Sequence, residues 1–86
     1  MAYFCYILEC SDGTFYTGWS TDPERRECQH NAGRGARYTR DRRPVRLVYV
    51  EEQADKPSAL RRELKIKRLP REKKIKLITD SAQEQS

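Results

Sequence analysis

The first 24 residues contain neither lysine nor arginine. The basic segment that opens a secretory leader is therefore missing, and the apolar start, Tyr3 to Leu8, is too short to be the core of one. No apolar run approaches the roughly 20 residues of a membrane span, so no membrane partner is expected. Cysteine is sparse and odd in number: Cys5, Cys10 and Cys28. An odd count in a chain without a leader fits reduced thiols in the cytoplasm rather than a disulfide framework. Together with His30 the three cysteines match no familiar zinc-ligand spacing. Cys5 and Cys10 also have opposite parity on an extended strand and point to opposite faces. Apolar residues are in short supply, at 36% of an 86-residue chain and equal to the charged share. The core must be small and the stability modest. There is no internal repeat and no linker. Residues 1–79 are expected to form one domain, with 80–86 as a frayed polar tail.

Aromatic residues are what the chain does have: five Tyr, two Phe and one Trp. Two apolar-aromatic runs, Phe4 to Leu8 and Phe15 to Trp19, flank Asp12-Gly13. Strand-forming runs around an Asp-Gly turn read as a β-hairpin, with strands from about Tyr3 to Glu9 and Thr14 to Ser20. The hairpin brings Tyr6 and Tyr16 close together, and Gly18 leaves open space beside the second. Asp22-Pro23-Glu24 then starts a helix, as cap, first-turn proline and dipole-favoured acid. It runs through Asn31 and ends at Gly33. Its only apolar residues are Cys28 and Ala32, while Arg26 and His30 share one face. Taken alone, these read first as the charges of an ordinary exposed helix.

Gly33 to Pro44 reads as a loop. Arg34, Arg37 and Arg40, together with Arg25 on the preceding helix, suit a phosphate backbone, and Tyr38 suits stacking on a base. A disordered basic loop would also bind polyanions weakly. Val45 to Glu51 is the third strand by its β-branched content and is expected to be the most buried. A second helix from about Ser58 to Arg68 places Ala59, Leu60, Leu64 and Ile66 on one broad face, with Arg61, Arg62, Lys65 and Arg68 outside it. Glu63 falls inside that apolar arc, as does Lys67. A buried carboxylate needs a counter-charge, so Glu63 reads either as a metal ligand or as the i, i+4 partner of Lys67. A third helix from Arg71 to about Ile78 turns Ile75 and Ile78 inward. The fold class is α+β: a small three-stranded antiparallel sheet flanked by helices, in the order β-β-α-β-α-α.

Charge is polarised along the chain. The net charge is +5 and the pI about 9.3, and all eighteen basic residues lie from Arg25 onward. Six arginines between Arg34 and Arg46 oppose only Asp41, and nine basic residues between Arg61 and Lys76 oppose Glu63 and Glu72. Two such blocks suggest a polyanion partner, although solvated basic faces would look the same.

Five elements in order resemble the GIY-YIG nuclease domain: Cys5-Tyr6-Ile7, then Tyr16-Thr17-Gly18, then Arg26, then His30, then Glu63 on a helix with Ala59, Leu60 and Ile66. The chain is most similar to small single-domain bacterial members, which share a Tyr-Ile-Leu start, a His-Asn pair and a Lys-Arg-Leu after the second helix. The resemblance covers roughly residues 3–78. It implies a nuclease that hydrolyses phosphodiesters with one divalent metal, Mg²⁺ or Mn²⁺. Within it Glu63 matches the metal ligand and Tyr6 the water-activating tyrosine. Tyr16 matches the residue that helps place water and phosphate, and Arg26 the one that steadies the phosphate charge. His30 matches a site histidine found in part of the family. Gly18 matches a glycine where a side chain would crowd the site. The implied partner is nucleic acid, DNA ahead of RNA, contacted by Arg25, Arg34, Arg37, Tyr38, Arg40 and Lys67. A protein partner for targeting is also expected, since family members often carry a separate DNA-binding domain. Cys5 stands in place of the first motif glycine and Thr17 in place of the second motif isoleucine. Trp19 is either a core aromatic or a stacking platform.

Overall fold

The computed structural model describes the backbone of residues 2–84 and the side chains of residues 2–82. The hairpin forms where the aromatic runs place it. Gly13 takes a positive φ of 84° and its N–H donates to Cys10 O at 2.9 Å. Asp12 Oδ1 accepts from the Thr14 amide at 3.1 Å and its hydroxyl at 2.6 Å. A short loop of this kind, closed by a left-handed glycine, sets the register of the strands it joins. Strand β1 (Tyr3–Glu9) pairs antiparallel with β2 (Phe15–Ser20). Its other edge pairs with β3 (Arg46–Gln53), giving the order β2-β1-β3. The helices are α1 (Pro23–Asn31), the single turn α2 (Arg37–Arg40), α3 (Lys56–Lys67) and α4 (Arg71–Glu84).

The α+β expectation holds, with four local corrections. The most buried strand is β1, not β3. Only β1 has a strand on both sides, and its Cys5 to Leu8 run is within 1% of full burial. β3 is an edge strand with Val50 39% exposed. The basic segment after Gly33 is not all loop, because α2 forms within it. The second helix starts at Lys56 rather than Ser58, since Asp55 caps it by accepting from the Ser58 amide at 2.8 Å. The last helix continues past Ile78 to Glu84, so residues 80–84 are helical rather than frayed. Residues 85 and 86 of the expected tail lie outside the described residues.

Alternation along β1 splits the interior into two layers. Cys5 and Ile7 face α3 and α4 and form one cluster with Ala59 and Ile66, against which Trp19, Leu77 and Ile78 pack. Tyr6 and Leu8 face the other way and cluster with Cys10 and Val45 beside Tyr16. Trp19 is thus a core aromatic, with Lys56 Nζ 5.3 Å from its ring centroid. The apolar arc of α3 is narrower than its sequence suggests. Leu60 and Leu64 are 42% and 49% exposed, while Arg62 turns inward to Glu51 of β3, Nε to Oε1 at 2.7 Å and Nη2 to Oε2 at 3.1 Å. In α4, Ile75 is exposed and Leu77 takes the expected inward place.

The leucine-poor α1 is docked by polar groups. Asn31 Nδ2 donates to Val45 O at 3.0 Å, and its Oδ1 accepts from the Val45 amide at 2.7 Å. Glu27 Oε2 accepts from the Leu47 amide at 2.6 Å. These side chains supply the bonds a fourth strand would have made, and so cover part of the β3 edge.

Candidate active site

The site grows from the pair Tyr6 and Gly18, which are directly opposite across β1 and β2. Tyr16 pairs with Leu8, so it is the diagonal neighbour of Tyr6 on the same face. A Cβ at Gly18 would lie 2.6 Å from Tyr6 Oη and 2.7 Å from its Cζ. The glycine therefore leaves room for the Tyr6 phenol, rather than merely open space beside Tyr16. Its backbone is ordinary: the positive-φ glycines are Gly13 and Gly33.

The imidazole of His30 lies between the two tyrosines and is fully buried. Its Nε2 is 3.3 Å from Tyr6 Oη, and its ring centroid is 5.1 Å from that of Tyr16. On the far side Nδ1 is 2.7 Å from Thr39 Oγ1 and 3.3 Å from the Ala36 amide nitrogen. A Cβ on Gly35 would overlap the His30 ring. Tyr38 stacks on Tyr16 with centroids 6.1 Å apart, and the Arg42 guanidinium lies 4.0 Å over the Tyr38 ring. His30, Tyr16, Tyr38 and Arg42 are thus linked by successive ring contacts, tilted by 56° between His30 and Tyr16 and stacked between Tyr16 and Tyr38. Tyr38 itself is 39% exposed.

Electrostatics separate the two candidate bases. Burial raises the Tyr6 phenol above its ordinary value of 10. Arg26 pulls it back, Glu63 pushes it up, and burial wins. A tyrosinate lowered by Arg26 alone does not form here. Burial lowers His30 below 6.5, with Arg26 adding to the effect, which favours the neutral imidazole. Arg26 itself reaches Gln29 Oε1 at 2.6 Å and lines a surface hollow with Trp19, Ser20 and Thr21.

Glu63 projects from α3 with 19% of its side chain exposed, and Lys67 Nζ lies 3.7 Å from its carboxylate. Its charge is felt at both Tyr6 and Cys5. The adjacent Arg62–Glu51 pair fixes the rotation of the helix that carries it. Among the described residues no cluster of three or more His, Cys, Asp or Glu forms a cage for a metal. A half-open carboxylate with one long ion pair suits an ion of another kind. Mg²⁺ binds through one or two carboxylates, substrate phosphate oxygens and retained waters. The cysteines do not compete. Cys5 donates to Ala59 O at 3.1 Å with its thiol pushed up to about 11, and burial raises Cys10 as well.

Tyr6, Tyr16, Gly18, His30 and Tyr38 therefore come together in one place, with Arg26 and Glu63 near enough to act on its charges. Arg34, Arg37 and Arg40 lie exposed on the segment that covers His30, and Arg25 is exposed on α1. Lys67 lines a second hollow with Tyr16, Tyr38 and Lys74. The sequence reading missed Gly35, Thr39, Lys74 and the Arg62–Glu51 pair. Thr39 and Gly35 gave no local signal, because what they touch is nine and five residues away, across a turn.

The model of the GIY-YIG catalytic domain matches residues 2–76. A UPF0213 protein of Staphylococcus saprophyticus is 50% identical over 78 residues, covering 91% of this chain and 95% of that protein. Another from Halobacterium salinarum is 55% identical over 69 residues, 80% of this chain and 90% of its own. The solution NMR structure of a UPF0213 protein from Bacillus halodurans has a TM-score of 0.58 at 47% identity, covering 92% of this chain and 84% of that one. That of a protein from E. faecalis has a TM-score of 0.63 at 38% identity, covering 95% and 88%. With the catalytic-domain match spanning most of its length, the chain belongs to the GIY-YIG family, a family of endonucleases.

Proposed function

We propose that the protein is a divalent-metal-dependent endonuclease that hydrolyses phosphodiester bonds in nucleic acid, DNA ahead of RNA, with branched or damaged DNA as its candidate substrates. The observation that carries this reading is the buried contact between Tyr6 and His30, opposite Gly18 and within range of the Glu63 charge. A binding surface needs arginines and has no use for a neutral imidazole sealed behind a phenol.

Burial disfavours a charged Tyr6 phenolate, so in this reading the phenol passes a proton on. As a water attacks phosphorus, its proton goes to Tyr6 Oη while the phenolic proton goes to His30 Nε2. The new P–O bond forms, the bond to the leaving sugar oxygen breaks, and that oxygen takes a proton from bulk water. His30 ends as imidazolium and returns its proton to solvent. Proton transfer of this kind contributes roughly 10²–10⁴-fold. Arg26 steadies the charge that builds on the phosphate oxygens. Glu63 would hold a single Mg²⁺ or Mn²⁺. When bound, that ion supplies Lewis-acid stabilisation of the same charge. The free thiols suit a cytoplasmic setting. Among the described residues no helix is long and apolar enough to cross a membrane. A protein partner that selects the target belongs to the same reading.

The test is cleavage of single-stranded, duplex and branched DNA, and of RNA, with Mg²⁺, Mn²⁺ or EDTA, beside Glu63→Gln. Metal-dependent cutting that the variant lacks, with binding retained, is the expected result. Binding without cutting under every condition would make the protein a binding module or a partner-activated subunit.

A further inference from the structure

We infer that the hollow at the outer edge of β2 is a subsite for one unpaired nucleotide beside the scissile phosphate, taking its base against Phe15, Tyr16 and Tyr38 and its phosphate between Lys67 and Lys74. The inference deepens the nuclease reading above and rests on it. β2 is the outermost strand, and its side chains alternate between the two faces of the sheet. Phe15 and Thr17 belong to one face and Tyr16 to the other, so a hollow lined by all three sits across the outer edge of the strand. Tyr38 of α2 lines it from one side, and Lys67 at the end of α3 and Lys74 in α4 line it from the other. Two of these residues also reach the candidate centre. The Tyr16 ring centroid lies 5.1 Å from that of His30, and Lys67 Nζ lies 3.7 Å from the Glu63 carboxylate. A group held in the hollow is therefore a neighbour of the reacting phosphate.

The lining selects the occupant. Among the described residues it holds three aromatic rings and two ammonium groups, and no carboxylate. Lys74 is half-buried, and among the described residues no carboxylate pairs with it. Two like charges that share a hollow repel, and an anion between them removes the repulsion. Rings beside cations are the combination that holds single-stranded nucleic acid, the rings taking bases and the cations the backbone. The hollow measures about 260 Å³, below the roughly 300–1,000 Å³ of a site for a drug-sized ligand. It has room for one base and not for a run of them. A base within a duplex is stacked and paired, and enters a hollow only after leaving both. A continuous duplex reaches the lysines with its phosphates and leaves the rings uncovered. The subsite therefore favours a strand with an unpaired nucleotide at the cut over plain duplex.

Fluorescence anisotropy in EDTA tests the subsite apart from cleavage. The full chain is offered two labelled duplexes, one with a single unpaired thymidine and one with an abasic residue in its place. The thymidine duplex is expected to bind about 10–100-fold tighter, the order of effect that one base on an aromatic side chain supplies. Tyr38→Ala should erase that difference. Lys74→Gln should weaken both duplexes by the same factor and lower the log–log salt slope by about 0.9, one phosphate contact. A 5-iodouracil at the unpaired position should cross-link on illumination to Phe15, Tyr16 or Tyr38. Equal affinity for the thymidine and abasic duplexes overturns the inference, and that comparison needs no variant to fold. So does a cross-link confined to other residues, or a Lys74→Gln protein with an unaltered salt slope. A protein that shows the preference and the cross-link but cuts nothing with Mg²⁺ or Mn²⁺ would refute the nuclease reading and leave the subsite standing. One that cuts DNA yet binds both duplexes alike loses the subsite alone.

Discussion

Gly18→Ala isolates the tightest geometric demand in the site. On backbone grounds alone the change should help, because Gly18 has no positive φ, and a strand glycine costs roughly 0.5–1 kcal/mol relative to alanine. The added Cβ, however, would sit 2.6 Å from Tyr6 Oη and 2.7 Å from Cζ, where ordinary contact begins at 3.4 Å. The ring must retreat by about 0.8 Å, the difference between 3.4 and 2.6. It is only 1% exposed and packed against Leu8, Cys10 and Val45. Overpacking of this kind costs about 1–3 kcal/mol, leaving a net loss on the order of 1–2 kcal/mol and a Tm lower by roughly 4–16 °C for a domain of this size. Thermal and urea unfolding by circular dichroism measure it. Tyr6→Phe should not rescue the variant, because Cζ remains. Tyr6→Leu should, since no ring lies opposite, and there Gly18→Ala should become neutral or stabilising. A Gly18→Ala protein as stable as wild type, or an equal loss in the Tyr6→Leu background, would refute the account.

Further outcomes can be stated with their measurements. Because His30 is held below 6.5 when folded, the unfolded chain takes up a proton that the native state refuses as pH falls from 6.5 toward the folded value. Stability should drop across that window, and His30→Asn should remove this share of the drop in urea titrations at stepped pH. If the variant shows the same slope as wild type, His30 does not titrate as described. Replacing Arg34, Arg37 and Arg40 together with Gln should weaken DNA binding and flatten the log–log salt slope by up to about 2.7, at roughly 0.9 for each phosphate no longer neutralised. An unaltered slope removes that segment from the interface. Asn31→Leu should lower stability by about 1–3 kcal/mol despite its added apolar surface, because it strands the Val45 amide and carbonyl. Chemical denaturation reads the loss, and a neutral result would mean water serves those groups equally well.

What the sequence disclosed was the local part of the fold. The strand Tyr3–Glu9, the cap at Asp22 and the helix end near Gly33 all follow from neighbours a few residues apart, and all are present. Glu63 stood out because it broke a helical pattern, and Arg26 and His30 because they were spaced one turn apart. The misses share one cause: they depend on which edge a strand occupies or on a partner far along the chain. β3 is rich in β-branched residues, but its exposure follows from lying outermost. Arg62 reads as a surface residue until Glu51, eleven positions back, is placed opposite it. Thr39 reads as one polar residue in a basic run until His30 meets it.

The sheet's thinness lets so small a chain assemble these groups. β1 presents Tyr6 and Leu8 to one layer and Cys5 and Ile7 to the other. α1 delivers His30 on the first side, and α3 delivers Glu63 from the second, yet the Glu63 charge acts on both Cys5 and Tyr6. β2 is the edge beside which α3 packs, and at Gly18 that edge has no side chain at all. Gly18 gives the Tyr6 phenol its place, since a Cβ there would meet Tyr6 Oη and Cζ. A larger residue there should damage stability and chemistry together, whereas Glu63→Gln, at a partly exposed position, should separate them.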